Sequence, residues 1–255
     1  MGHKTLVGGT AYEISGGKVL VDGTGYSIDK GHTKVDGTGY DIAFGTSIGN
    51  LAVGSSVFFN VDGTPREFIV VHQGNPDPTV YDESCDGIWL LMKDIYALGG
   101  FDSSYNDYED SDMHSYLNGT FLGYLDSNIQ SAIKQVKIPY TNGSGNGGSL
   151  ATGSDGLSTK MFLLSYTEVG FSGSDANAEG VVLDYFNGVA DVIRIGLKEA
   201  GAYKWWLRSP YTGNNFYTWN VSTTGTAGVE RPNTSIGIRP AFILPSDFDV
   251  TNYLQ

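Results

Sequence analysis

Lys204-Trp-Trp-Leu-Arg-Ser-Pro210 and Gly237-Ile-Arg-Pro-Ala-Phe-Ile-Leu244 are the two stretches whose reading decides the fold. Both are short and dense in apolar side chains, as buried strands are. They predict that Trp205, Leu207, Phe242 and Leu244 lie in the core. Residues 211–234 between them have another character, rich in Tyr, Asn, Thr, Ser and Gly. Tyrosine brings contact area at low entropy cost, and small polar residues bring adaptable hydrogen bonding. Anchored ends with a polar, aromatic middle is how a scaffold presents a contact surface. The residues expected on one exposed, ligand-contacting patch are Tyr211, Asn214, Asn215, Phe216, Tyr217, Thr218, Asn220, Glu230, Arg231 and Asn233. Strand alternation puts Trp219 and Val221 on the core side and turns Phe216, Thr218 and Asn220 outward. Arg208 and Arg239, set among apolar residues, read as framework arginines: the planar fork holds carbonyls or a carboxylate while the stem packs on tryptophan.

Outward from this stretch, the first fifty residues are repetitive. Val7-Gly-Gly-Thr-Ala-Tyr-Glu-Ile, Val21-Asp-Gly-Thr-Gly-Tyr-Ser-Ile and Val35-Asp-Gly-Thr-Gly-Tyr-Asp-Ile share a period of 14. Each unit reads as a turn followed by a short strand with Tyr and Ile on one face. Units this small need a neighbour to cover that face. Residues 1–50 are therefore expected to be a β-repeat module for attachment and self-association, with a homotrimer favoured. Residues 51–255 are expected to be the ligand-binding domain.

In that domain, Ser56-Val-Phe-Phe-Asn60 and Glu67-Phe-Ile-Val-Val-His72 predict an apolar hairpin, and Gly87-Ile-Trp-Leu-Leu-Met92 a buried strand. Residues 103–112 are polar and acidic, and read as a solvated loop leading into a helix. Met113, Leu117, Phe121 and Leu125 recur at helical spacing, weakened by Gly119 and Gly123. Ser127-Asn-Ile-Gln130 has the pattern of a capping box at the start of a second helix. Residues 142–156 read as a mobile Gly/Ser/Asn loop, Met161 to Ser165 as a strand, and residues 181–200 as either helix or strand. The resulting fold class is mixed α+β.

Trp205-Trp-Leu-Arg-Ser-Pro210, Trp219-Asn-Val221 and Gly237-Ile-Arg-Pro-Ala-Phe242 also resemble the C-terminal signature of an uncharacterised bacterial and phage domain family. That family is similar to the C-type-lectin-fold variable proteins diversified by retroelements, and more distantly to formylglycine-generating enzymes. Val57-Phe-Phe59, Arg66-Glu-Phe-Ile-Val-Val71, Trp89-Leu-Leu-Met92, Tyr116-Leu-Asn118, Met161-Phe-Leu-Leu-Ser165 and Glu168-Val169 follow the same order. The resemblance spans residues 50–245. It implies a C-type-lectin-like domain that displays ligand-contacting residues between its two C-terminal motifs.

Composition narrows the function classes. A formal charge of −13 with no basic run argues against nucleic acid. Thirty-six glycines and 13% aromatic residues suit short strands and tight turns. The single cysteine, Cys85, excludes an internal disulfide and a cysteine-based zinc site, and the two-cysteine chemistry of formylglycine-generating enzymes does not carry over. The acidic run from Asn106 to Asp112 lacks the ligand order of an EF-hand. Trp219-Asn220 is similar to the calcium signature of lectins, but Val221 follows where an acid belongs. No nucleophile elbow is present. The expectation is thus no catalytic residue, no metal and no cofactor. Neither a signal-peptide core nor a membrane-length apolar run is expected, so no membrane insertion. The favoured function is an adhesin, a phage tail receptor-binding protein facing a bacterial surface protein or glycan. Its repeats would join other virion proteins. The rivals are a structural tail or capsid component and a glycan-active enzyme, and the alternative locations are the bacterial surface or cytoplasm.

Overall fold

A computed structural model describes the strand backbone within residues 3–43, and residues 45–143, 148–199 and 201–254. The chain forms two units, Met1–Thr46 and Ser47–Gln255, each considered by itself.

The first unit is three antiparallel hairpins. They pair β1 (His3–Val7) with β2 (Thr10–Ile14), β3 (Lys18–Val21) with β4 (Thr24–Ser27), and β5 (Lys30–Val35) with β6 (Thr38–Ala43). The register recurs: Val7 faces Thr10, Val21 faces Thr24, and Val35 faces Thr38. The sequence period is therefore a period of hairpins. The side chains of Tyr12, Tyr26 and Tyr40, on which the expected self-association rests, lie outside the described residues.

The second unit begins with a hairpin of β7 (Ser56–Val61) and β8 (Thr64–Gln73). Its two linking residues, Asp62 and Gly63, have φ of 51° and 69°. Two consecutive left-handed residues match the twist of the flanking strands, and Asp-Gly is the pair that adopts them most readily. Alternation buries Val57, Phe59 and Val61 beneath the hairpin. Then come β9 (Ile88–Met92) and β10 (Ala97–Gly99).

Helix α1 spans Asp112–Tyr116, with Ser111 Oγ accepting from His114 N at 3.0 Å. It passes into a π turn over Leu117–Phe121 and a 3-10 turn over Leu122–Tyr124. Helix α2 is Ser127–Ala132. The expected capping box does not form there: Asp126 is the N-cap, and Gln130 Nε2 instead donates to Leu125 O at 2.6 Å. Asn118 explains how so short a helical segment is fixed. Its amide accepts from Lys160 N and Met161 N and donates to His114 O and Met161 O, all within 3.1 Å.

Short pairs follow, β11 (Val136–Ile138) with β14 (Leu157–Thr159) and β12 (Tyr140–Thr141) with β13 (Leu150–Ala151). Part of the loop expected over residues 142–156 lies outside the described residues. Only Met161–Phe162 of the expected 161–165 strand pairs, as β15. Residues 181–200 are neither one helix nor one long strand. They hold 3-10 turns at Asp184–Phe186 and Asp191–Arg194, then β16 (Gly196–Lys198), which pairs with β17 (Gly201–Tyr203). The C-terminal stretch gives β18 (Trp205–Pro210), β19 (Thr218–Val221), β20 (Ala227–Glu230), β21 (Ile236–Ile238) and β22 (Ala241–Leu244).

Two five-stranded sheets dominate, ordered β15-β22-β9-β8-β7 and β10-β21-β18-β19-β20. This corrects the expected mixed α+β fold of C-type-lectin type. The two α-helices are five and six residues long, and the unit is predominantly β. Past Tyr116 the helical run continues in π and 3-10 geometry through Gly119 and Gly123, so no α-helix here reaches a length able to form its own layer.

Trp205, Leu207, Phe242 and Leu244 are all fully buried, as expected. Trp205 and its neighbour Trp206 are both at 0% exposure. Adjacent strand residues point to opposite faces, so β18 is covered on both sides. The two arginines serve as framework. Arg208 makes a fully buried bidentate pair with Glu168 at 2.6 and 2.7 Å and donates to Pro139 O and Leu163 O. Arg239 lies 4.5 Å over the Trp205 ring and donates to Met92 O at 3.1 Å. Burial pushes its pKa down to about 10.

Candidate functional site

Three loops meet at one end of the β18-β19-β20 strands. The first, residues 211–217, is bracketed by β18 and β19 and closes on itself. Tyr211 N donates to Tyr217 O at 3.0 Å, and Asn214 N to Tyr211 O at 3.2 Å. Asn214 Oδ1 accepts from Phe216 N at 2.9 Å, an Asx turn that tips the phenyl ring outward. The second loop, residues 100–107, crosses beside it. Asn106 is buried to 1% exposure and donates from Nδ2 to Tyr217 O at 2.8 Å, with Tyr211 O and Asn214 O at 3.4 Å. The third loop leaves β20 at Arg231. Its Pro232 carbonyl accepts from Phe101 N at 2.7 Å and Asp102 N at 3.2 Å. The central loop is thus joined by hydrogen bonds to both of the others.

These joints expose a specific set of side chains. Tyr105 and Phe216, 58% and 52% exposed, stack with ring centroids 6.4 Å apart and planes 27° apart. The Arg231 guanidinium lies 5.9 Å over the Tyr217 ring. Ser103, Ser104, Phe216, Arg231, Pro232 and Asn233 line a cleft of about 190 Å³ between the loops. Tyr211 packs behind on Tyr217 and Trp219, and Trp219 packs on Tyr166.

The charges around the cleft are unequal in freedom. Asp102 accepts from Ser104 N, Tyr105 N and Asp112 N. Partial burial opposes its ionisation, but these backbone donors outweigh burial and hold its carboxyl below the usual range. Glu230 pairs with Lys204 at 2.7 Å. Arg231 has no carboxylate within salt-bridge distance among the described residues, so its fork is open to a ligand.

Of the residues singled out from sequence, Phe216, Arg231 and Asn233 line the cleft, and Tyr217 supports Arg231. Tyr211, Asn214 and Asn215 are half-buried in the same loop, and Glu230 is half-buried in its ion pair. Thr218 and Asn220 are corrections: expected outward, they are buried to 0% and 1% exposure. Asn220 pairs across the ladder with Trp206, whose ring packs on Phe101 and whose Nε1 donates to Gly99 O. The face expected to meet solvent is therefore roofed by residues 99–101. Trp219, expected in the core, is only half-buried.

Ser103, Ser104, Tyr105 and Asn106 were absent from the sequence expectation, which read residues 103–112 as a solvated loop. A tyrosine beside an asparagine within that loop, Tyr105-Asn106, is the composition favoured at contact surfaces and is the signal that was available. Among the described residues, no group of three or more His, Cys, Asp or Glu is placed to hold a metal ion. No helix among them is long and apolar enough to cross a membrane.

A family model described as a domain of unknown function (DUF6273) matches residues 86–246, more than half of the chain and including all three loops. No curated protein and no solved structure matches the chain.

Proposed function

The chain belongs to the DUF6273 family of domains of unknown function, and from its loop geometry we propose that it is a recognition module. In this reading residues 100–107, 211–217 and 231–233 form one contact surface for a ligand on a bacterial cell, and the protein is an adhesin carried on a phage tail. The similarity of the tryptophan and Gly-Ile-Arg-Pro motifs to retroelement-diversified variable proteins supports the same assignment, with residues 211–234 as the segment that varies. The 14-residue hairpin repeats suit attachment to other virion proteins or to further copies of the chain.

The observation that carries the reading is the stacked pair Tyr105 and Phe216, each more than half exposed beside an open arginine. Exposed aromatics cost solubility, so a pair held in place by loop hydrogen bonds calls for an interface. The aromatic residues of the patch expected from sequence are Tyr211, Phe216 and Tyr217. Tyr211 and Tyr217 support other side chains, so Tyr105 and Phe216 are the cleaner choice. Replacing both by Ala should abolish sedimentation with bacterial cells. Stability should change by no more than about 0.5 kcal/mol, as is usual at surface positions. Full adhesion by the folded double variant would move the contact surface elsewhere.

A further inference from the structure

We propose that the cleft at Arg231 takes an acidic pyranose, a sugar ring bearing a carboxylate such as a hexuronic acid within a surface polymer. This rests on the recognition reading above and names its ligand class. Four features of the site argue for it.

The first is the stacked aromatic pair. The axial C–H face of a pyranose is slightly positive and fits the negative face of an aromatic ring. Phe216 lines the cleft and is more than half exposed, so its ring can meet a sugar, and Tyr105 stacks against it with planes 27° apart. The second is the lining: Ser103 and Ser104 hydroxyls and the Asn233 amide both donate and accept, which is what ring hydroxyls require. Third comes the charge. Arg231 offers a planar fork that matches a carboxylate bidentately, and Tyr217 beneath it helps fix its direction. Neither nearby acid pairs with it: Glu230 is engaged by Lys204, and Asp102, which stays ionised, accepts from three backbone N–H groups instead. The last is scale. A cleft of about 190 Å³ lies below the roughly 300–1,000 Å³ of pockets for drug-sized ligands, which suits a ligand as small as one sugar ring.

The net charge of −13 repels anions at long range. At physiological ionic strength that field is screened beyond about 8 Å. The contact at Arg231 then decides the sign of the local interaction.

The test measures binding of the full chain to galacturonate, glucuronate and mannuronate oligosaccharides and to their methyl esters, which keep the ring and lose the charge. At least one free acid should bind about tenfold more tightly than its ester, the scale of one charge-assisted pair. Arg231→Gln should lower acid binding to the level of the ester and leave ester binding unchanged. Phe216→Ala should weaken both. Equal binding of acid and ester, or no binding of any acid, overturns the proposal. Where cells still adhere through Tyr105 and Phe216 while no acidic sugar binds, recognition stands and the ligand class falls. Acid binding that Arg231→Gln leaves unchanged places the carboxylate at another cation and also overturns the assignment.

Discussion

Arg208 shows how the molecule uses a charge it cannot expose. Its guanidinium and the Glu168 carboxylate satisfy one another in full burial, and carbonyls from residues 139, 163 and 179 take its remaining donors. A second carboxyl, Glu179, lies in the same region, accepting from Thr141 N and from Ser209 Oγ. Burial pushes the Glu179 pKa up, against the opposing pull of Arg208, Ser209 and Thr141. The folded state therefore holds this proton more tightly than the unfolded chain does. Stability from this group is greatest at acid pH and is lost as pH rises from the unfolded carboxylate range through the raised folded value. Glu179→Gln keeps one acceptor and gains a donor but cannot ionise. The variant should match the wild type near pH 4 and exceed it by a growing margin toward about pH 8, in urea melts at each pH. A difference that stays constant across that range would mean Glu179 is ionised throughout. At this scale the framework was legible, because arginine between apolar neighbours can be buried only if its donors are met. The Trp205-Trp206 pair also declared both faces of β18 buried. Applied to β19, that would have placed Thr218 and Asn220 inside; what covers the second face comes from residues 99–101, about a hundred positions away in sequence.

Among the elements, the loops carry the proposed contact surface and a few joints set their shape. Asn106 is the central joint, one amide serving three carbonyls of the 211–217 loop. Asn106→Ala should cost about 0.5–1.5 kcal/mol by removing its hydrogen bond to Tyr217 O, since each of the three carbonyls keeps a backbone N–H partner, and should weaken adhesion more than Asn215→Ala on the same loop. Urea melts and cell sedimentation read the two effects separately. Adhesion unaltered in a destabilised Asn106→Ala protein would show that the loop shape does not matter to contact. The hairpin of β7 and β8 was fully legible, since Asp62-Gly63 fixes the turn and alternation fixes the face. The helices were less so. Spacing of apolar residues found the segment, but whether α1 would continue past Leu117 depended on Gly119 and on the clamp from Asn118, a tertiary contact. Residues 181–200 likewise carry no period of their own: Leu183 and Phe186 are buried, whereas Val182, Val192, Ile193 and Leu197 are exposed.

For the whole molecule, a unit of repeated hairpins precedes the unit that holds the proposed contact surface. A contact cleft this small gains from being presented in several copies, which raises avidity by roughly 10²–10⁴ against a multivalent target. The full chain should therefore scatter light as a trimer and residues 47–255 as a monomer. A monomeric full chain would remove the repeats from any role in assembly. The central claim, that three loops form one recognition surface, is tested most directly by hydrogen exchange on the full chain with and without the bacterial envelope fraction it sediments with. The account predicts slowed exchange on binding at residues 100–107, 211–217 and 231–234 together, with β7 to β9 unchanged. Protection confined to residues 196–203 or to the N-terminal hairpins, with these three loops exchanging as before, would contradict it.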